Sequence, residues 1–329
     1  MKALALFSGG LDSILAVKVV ENAGATVEAV HFINPFHQNQ NHTIISDTAA
    51  RLGIKLHFIE LTGEYLELIA HPEHGYGKRM NPCIDCRIYQ LKLARQLMEK
   101  IGAAFLVTGE VLDQRPNSQR RDAMDIVERD AGVRGLLLRP LTAQHLRPTL
   151  PEIENWVDRK KLLDIKGRGR TQQIELAAKY GITDYPAPAG GCLLTNEEYS
   201  LKIRDLFRYH RQIDSRNIEL LRWGRHLRLA PEAKIIVGKN EAENEKLAAL
   251  AAVDDYTLQV RDYAGPLTLY TGTDEPQLLE LAAAITAGYT KAPVDQPVVV
   301  TLSRSGDEKN LTVNALDRET IRQYFVYKV

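Results

Sequence analysis

The chain has 329 residues, 44% of them hydrophobic, with 42 lysines and arginines against 42 aspartates and glutamates. That length suits two domains and that apolar fraction supports a core in each. The charge balance excludes a polyanion-binding surface spread over the whole molecule, so any basic surface must be local. Only three cysteines occur, which argues against a disulfide framework and leaves metal or reactive chemistry beside plain burial. No apolar run approaches the ~20 residues of a membrane helix, and nothing near Met1 resembles a signal segment, so a cytoplasmic protein with no membrane partner is expected.

In chain order, Ala3 to Phe7 reads as a buried strand, followed at once by Ser8-Gly9-Gly10-Leu11-Asp12-Ser13 and the helical run Ile14 to Val20. Strand, glycine turn and helix start are the geometry in which backbone amides converge on a phosphate, because the first amides of a helix lack intrahelical partners. The loop has no lysine of the Walker type, and Asp12 stands where a polyanion would dock. That placement is unfavourable unless a divalent cation intervenes or the carboxylate turns toward donors. Thr26 to Phe32 is a second strand, Thr43 to Leu52 a helix, Lys55 to Glu60 a third strand, and a helix beginning near Ile84 runs to Ile101. Ala104 to Thr108 and Leu136 to Leu138 are further strands, and Pro151 to Leu163 and Thr171 to Tyr180 further helices. Such alternation predicts an α/β fold with a doubly wound parallel sheet, whose ligands sit at the carboxyl ends of the strands. The glycine loop, the segment after His31 and Phe32, and Gly109-Glu110 all fall at those ends.

Gly181 to Gly191 reads as a loop and Glu197 to Arg211 as a charged helix. Beyond it lie short strands at 234–237, 257–260, 267–270, 298–302, 311–313 and 324–329 with helices over 241–251 and 275–287, which predicts a smaller α+β domain. The boundary is placed in the 200–215 helix, giving domains of residues 1–207 and 208–329.

The cysteines lie in Asn81-Pro82-Cys83-Ile84-Asp85-Cys86 and in Ala189-Gly190-Gly191-Cys192. A CxxC at a helix start puts two sulfurs on one turn, where unpaired amides are expected to lower the thiol pKa. Three cysteines allow either a [4Fe–4S] cluster with one iron left open, the favoured reading, or a persulfide on one cysteine resolved by another. A zinc site would need a fourth ligand, for which His71 and His74 are the candidates.

The loop SGGLDS resembles the signature of the PP-loop ATP pyrophosphatases, of the adenine nucleotide alpha hydrolase-like fold. SGGLDS, NPCIDC, TGEVLDQ, LRPL and PAGGCLLT, in that order, resemble the tRNA thiouridine synthases, most closely the 4-thiouridine synthase family and more loosely the 2-thiouridylases. The likeness covers roughly the first two hundred residues. It implies that Ser8, Gly9, Gly10, Leu11, Asp12 and Ser13 hold ATP phosphates with Mg²⁺, with Asp12 also catalytic. It implies further that His31 and Phe32 meet the adenine, and that Gly109, Glu110 and Gln114 line the nucleotide pocket. Cys83, Cys86 and Cys192 would form the catalytic sulfur centre and the ligands of the cluster. The implied function is an ATP-dependent tRNA sulfurtransferase that adenylates a uridine, releases pyrophosphate and replaces the oxygen with sulfur. Its implied partners are tRNA and a sulfur donor, a cysteine desulfurase or sulfide, and a homodimer is allowed for.

Synthases of this type usually carry a THUMP region before the pyrophosphatase domain and some end in a rhodanese domain. Here SGGLDS starts at residue 8 and no cysteine follows Cys192, so a protein without either is expected. RNA contact is assigned instead to the C-terminal domain, through Arg222, Arg225, Arg228 and Lys239, with Lys202, Arg204, Arg208 and Arg211 on the preceding helix. The segments around Leu227-Arg228-Leu229 and Val237 to Asn244 resemble the RNA-binding domain of NFACT proteins. Arg120, Arg121, Arg168 and Arg170 extend the basic candidates. Two other readings compete: a different PP-loop adenylating enzyme, such as an amide or nitrile synthetase of the queuosine-precursor type, and a non-catalytic nucleotide- and RNA-binding protein.

Overall fold

The structure, a computed structural model, describes residues 1–38, 42–185, 191–210, 213–293 and 295–327. The chain divides into two compact units, Met1–Thr195 and Asn196–Val329. The expected boundary at 207/208 falls inside a continuous helix, Glu197–Tyr209, which belongs to the second unit.

The first unit is an α/β layer structure with strands β1 (Lys2–Leu6), β2 (Thr26–Ile33), β3 (Lys55–Glu60), β4 (Phe105–Thr108) and β5 (Leu137–Leu138). Their order is β3-β2-β1-β4-β5, all pairs parallel. The chain winds outward from β1 through β2 to β3, then returns to β1's other side with β4. The switch point therefore lies at the carboxyl ends of β1 and β4, where a doubly wound sheet opens a crevice. Helices α1 (Leu11–Asn22), α2 (His42–Leu52), α3 (Glu64–Ala70), α4 (Cys83–Lys100), α5 (Arg121–Asp130), α6 (Leu150–Ile153) and α7 (Thr171–Lys179) accompany the sheet. β4 is buried at every residue, and α1 buries eight of its twelve residues, so neither shows the one-sided pattern of a surface element.

The sequence predicts one helix from Pro151 to Leu163, and the structure shows otherwise. α6 stops after a single turn, Asn155 takes a φ of 55°, and the amides of Trp156 and Val157 both donate to the Pro151 carbonyl. Val157 and Leu162 thereby enter the core, joined by a 3₁₀ turn at Arg159–Lys161. Burial of these side chains outweighs continuation of the helix. Helices α3 and α5 were not expected. α5 is short and carries only Ala123, Met124 and Val127 inward, a weak apolar signal among charged neighbours.

The second unit begins with α8 (Glu197–Tyr209) and α9 (Ser215–Leu220). An antiparallel six-stranded sheet follows: β6 (Arg225–Ala230), β7 (Ala233–Val237), β8 (Tyr256–Val260), β9 (Thr268–Thr271), β10 (Pro297–Arg304) and β11 (Asp307–Asn314). Its order is β11-β10-β8-β9-β7-β6, with α10 (Glu241–Leu250), α11 (Pro276–Gly288) and α12 (Arg318–Arg322) as its helices. Leu279, Ala282, Ala283 and Ile285 of α11 pack with Leu227, Ile235, Leu258 and Val300 of the strands to make the core. The final strand expected over 324–329 is not formed in the described residues: Phe325 makes one isolated bridge to Leu227. Arg225 to Ala230, read above for its charge, is strand β6.

Candidate functional site

The loop between β1 and α1 is shaped by two close approaches. Gly9 has a φ of +72°, a left-handed conformation that disfavours side chains, and it lies under Ile45 of α2. Gly109, directly after β4, has its Cα so close to the loop that a Cβ there would meet the Asp12 carbonyl carbon and oxygen at 2.5 Å and the Ser13 amide at 2.7 Å. The loop and the segment after β4 are thus in backbone contact. At the N-cap of α1, Gly10 makes no side-chain cap, which leaves the first amides of the helix for a ligand. The hydroxyls are engaged within the loop: Ser13 Oγ donates to the Gly10 carbonyl at 2.7 Å, and the Ser8 hydroxyl reaches Ser13 Oγ at 3.3 Å. Leu11 is buried and contributes backbone only.

Asp12 is held by a polar chain that joins three segments. Gln173 Nε2 donates to Gln114 Oε1 at 3.1 Å, and Gln114 Nε2 donates to Asp12 Oδ2 at 2.8 Å. Arg170 stands 3.8 Å from Asp12 Oδ1. Even so, Asp12 Oδ1, Arg170 Nε and Gln173 Oε1 are buried with no hydrogen-bond partner among the described residues. Buried polar atoms are normally satisfied, so an acceptor, a donor and a carboxylate oxygen left open around one glycine loop mark a place for a ligand. Gln173 was missed by the sequence reading, although it follows the Lys166-to-Arg170 stretch singled out for its charge.

Glu110 is also buried, but it is occupied: Arg139 Nε lies 3.0 Å from one carboxylate oxygen, Arg87 Nε 3.1 Å from the other, and Thr108 Oγ1 donates at 3.1 Å. The two guanidiniums overcome the upward push of burial and hold the carboxyl below its ordinary range. Glu110 therefore anchors the segment after β4 and ties it to α4. The pleat of β2 places His31 and Phe32 on opposite faces, so they do not form one wall. His31 clusters with His42 and Phe58, with ring centroids 5.7 and 5.9 Å away, and burial lowers its pKa. The neutral ring must place its proton on Nδ1, which donates to the Phe7 carbonyl at 2.9 Å, leaving Nε2 as an acceptor.

Cys83 and Cys86 open α4 on its first turn, as the CxxC spacing predicts. Cys192 is brought toward them by an antiparallel bridge with His37, supported by the Leu193 amide donating to the Phe36 carbonyl. Residues 186–190, which include the first three residues of the PAGGCLLT motif, lie outside the described residues, as does Arg211. The thiols feel one another electrostatically, since Cys83 and Cys86 both act on Cys192. Contrary to the expectation from the helix start, all three thiols are shifted upward: burial raises each and takes Cys192 to about 12. At Cys83 the charges of Arg115 and Arg87 oppose that shift. Cys86 Sγ is 3.1 Å from the Tyr65 hydroxyl, which accepts from Asn34 Nδ2 at 2.9 Å. Among the described residues no three His, Cys, Asp or Glu side chains are placed to hold one metal ion. The expected [4Fe–4S] ligand set of Cys83, Cys86 and Cys192 is not shown among the described residues, and Cys86 engages Tyr65. Nor does His74 serve zinc: its Nδ1 meets Asp85 at 3.0 Å and its Nε2 meets Asp130 at 3.1 Å.

Of the RNA candidates in the second unit, Arg225 and Lys239 line one cavity. Arg222 pairs with Glu219, and Arg228 makes a bidentate contact with Asp205 while lying over the Tyr209 ring. Lys202 is buried against Glu198.

The first unit is thus a parallel α/β sheet with a glycine loop at its switch point and Asp12 in that loop. Residues 1–148 match the family described as "Thiamine biosynthesis protein (ThiI)", and residues 224–325 match "NFACT protein RNA binding domain". The chain carries a domain of the ThiI/PP-loop family followed by an NFACT-type RNA-binding domain. A probable tRNA sulfurtransferase of Lysinibacillus sphaericus is 32% identical over 119 residues, 34% of this chain and 28% of the relative. The tRNA-specific 2-thiouridylase MnmA of Campylobacter curvus is 28% identical over 116 residues, 33% of this chain and 34% of that protein. The matches thus span about a third of these curated relatives or less. A solved structure described as a predicted subunit of tRNA methyltransferase from Methanocaldococcus jannaschii shares 19% identity, covering 54% of this chain and 76% of its own with a TM-score of 0.36, too low to carry an argument.

Proposed function

We propose that the chain is an ATP-dependent tRNA sulfurtransferase. The observation that carries this reading is the set of open polar atoms on Asp12, Arg170 and Gln173 around a glycine loop, in the same unit as the three free cysteines. ATP phosphates would meet the first amides of α1. Asp12, with one carboxylate oxygen open, suits Mg²⁺, which would neutralise phosphate charge when bound. His31 Nε2 offers an acceptor to the nucleotide base. A uridine carbonyl oxygen attacks the α-phosphorus, the bond to the bridging oxygen breaks, and pyrophosphate leaves. The protein's contribution there is positioning and charge stabilisation.

For the sulfur step the proposed reading is a thiol route, supported by Cys83 and Cys86 on one turn of α4. A persulfide on one cysteine, loaded by transfer of sulfane sulfur from the persulfide of a cysteine desulfurase, attacks the activated carbon and expels AMP with the former carbonyl oxygen. A second cysteine then attacks the protein-bound sulfur, releasing the thiocarbonyl and forming a disulfide, which an external dithiol reduces. Three free cysteines in one unit keep the [4Fe–4S] centre as the second reading. Anaerobic purification separates the two: the thiol route gives colourless protein, whereas brown protein that bleaches on Cys192→Ala replaces it with the cluster. The function itself is tested by incubating the protein with ATP, Mg²⁺, a cysteine desulfurase with cysteine as the source of sulfane sulfur, a dithiol reductant and tRNA from a deletion strain, then analysing the nucleosides by mass spectrometry. ATP-dependent appearance of a thiouridine that Cys83→Ala abolishes is expected; its absence with intact protein overturns the reading.

A further inference from the structure

The second unit holds a cavity of about 350 Å³ whose walls include Arg225 of β6, Lys239 and two residues of α12, Arg318 and Arg322. A neutral chain has concentrated four cations here. Arg225, Arg318 and Arg322 make no ion pair among the described residues, while the one carboxylate in the lining, Glu198, lies 2.7 Å from Lys202 and 3.9 Å from Lys239. The remaining lining is aromatic. Tyr289 is flanked by the guanidiniums of Arg225 and Arg318, 5.1 and 4.1 Å from its ring centre, and Phe325 and Tyr327 pair at 5.4 Å. Arg225 is further fixed by donating to the Gly238 carbonyl at 3.2 Å.

We propose that this cavity receives one unpaired nucleotide of an RNA chain, its phosphate among Arg225, Lys239, Arg318 and Arg322 and its base against Tyr289 and Phe325. The inference rests on the RNA-directed reading of the second unit and adds the form of RNA it takes. Three features select that ligand. Cations alone would suit any polyanion, but cations alternating with rings suit a unit that carries both a phosphate and a flat base. A volume near the low end of the roughly 300–1,000 Å³ of small-ligand sites admits one such unit. A base inside a duplex must give up stacking and pairing to reach recessed rings, so an unpaired nucleotide enters more readily than a paired one. Arg318 and Arg322 stand one helical turn apart on α12 and next to Phe325; the sequence reading assigned α12 no element and placed Phe325 in a strand.

The test uses the full chain and a short fluorescein-labelled single-stranded RNA, followed by anisotropy across a salt series. The double variant Arg318→Ala, Arg322→Ala changes two exposed side chains, and circular dichroism checks its fold. Affinity is expected to fall about 10-fold or more, and the slope of log affinity against log salt to shrink by ~1.4, about 0.7 for each lost phosphate contact. A strand carrying 2-aminopurine should be quenched on binding and less so by Tyr289→Leu. Competitors set the ligand class: unlabelled single strand should displace the probe, whereas equal displacement by a duplex or by polyglutamate contradicts the proposal. A double variant that binds like the wild type overturns the pocket alone. A wild-type chain that binds no RNA overturns the RNA reading beneath it.

Discussion

At the scale of single residues, the site turns on how closely Gly109 approaches Asp12. Asp12 posed a problem in the sequence, a carboxylate where phosphates should dock. The structure answers it by giving one oxygen to Gln114 and leaving the other open beside Arg170. That arrangement depends on the contact between Gly109 and the loop, because no side chain fits there. Gly109→Ala would drive a methyl into the Asp12 backbone, and overpacking of this kind costs about 1–3 kcal/mol. Thermal unfolding should show a lower midpoint for the first unit, and ATP consumption should fall at least about 10-fold as Asp12 is displaced, while single-stranded RNA binding is unchanged. Unaltered ATP turnover would show that the loop is not held by this contact.

At the scale of elements, the strand–loop–helix order of the first unit was legible because each strand is a short apolar run ended by glycine or a polar turn. β1, β2, β3 and β4 stand within a residue of their expected limits. What was not legible depends on long-range burial. The helix expected over 151–163 gives way to a turn so that Val157 and Leu162 reach the core, and the pKa direction of the cysteines follows from desolvation by the packed chain, not from their helix start. Gln173 was hidden for the same reason, since only the fold brings α7 to Gln114. His74 shows how elements are tied: it links Asp85 of α4 to Asp130 of α5, and its bond to Asp85 raises its pKa above the usual 6.5. A raised folded value contributes stability that is complete below the unfolded pKa and is lost as pH climbs through the folded one. Buried His31 and His226 are shifted downward and act in the opposite sense, so the informative quantity is the difference between wild type and His74→Gln. That stability difference should be largest below pH ~6.5 and shrink as pH rises above it. A constant difference across the range would mean that His74 is uncharged in the fold.

At the scale of the whole molecule, the chain joins two kinds of chemistry. One unit carries a nucleotide loop and three thiols, and the other concentrates cations and rings that a balanced composition of 42 against 42 charges gave no hint of. Among the described residues no helix is long and apolar enough to cross a membrane. The proposed reaction needs ATP at the glycine loop, sulfur at the cysteines and RNA at the second unit to act together. The direct measurement is the stoichiometry of products from ATP labelled at the α and γ positions, taken with the thionucleoside formed in the same tube. One AMP and one pyrophosphate for each thiouridine is the predicted result. ADP and phosphate, or pyrophosphate released without any thionucleoside in the presence of tRNA and a sulfur donor, would contradict it.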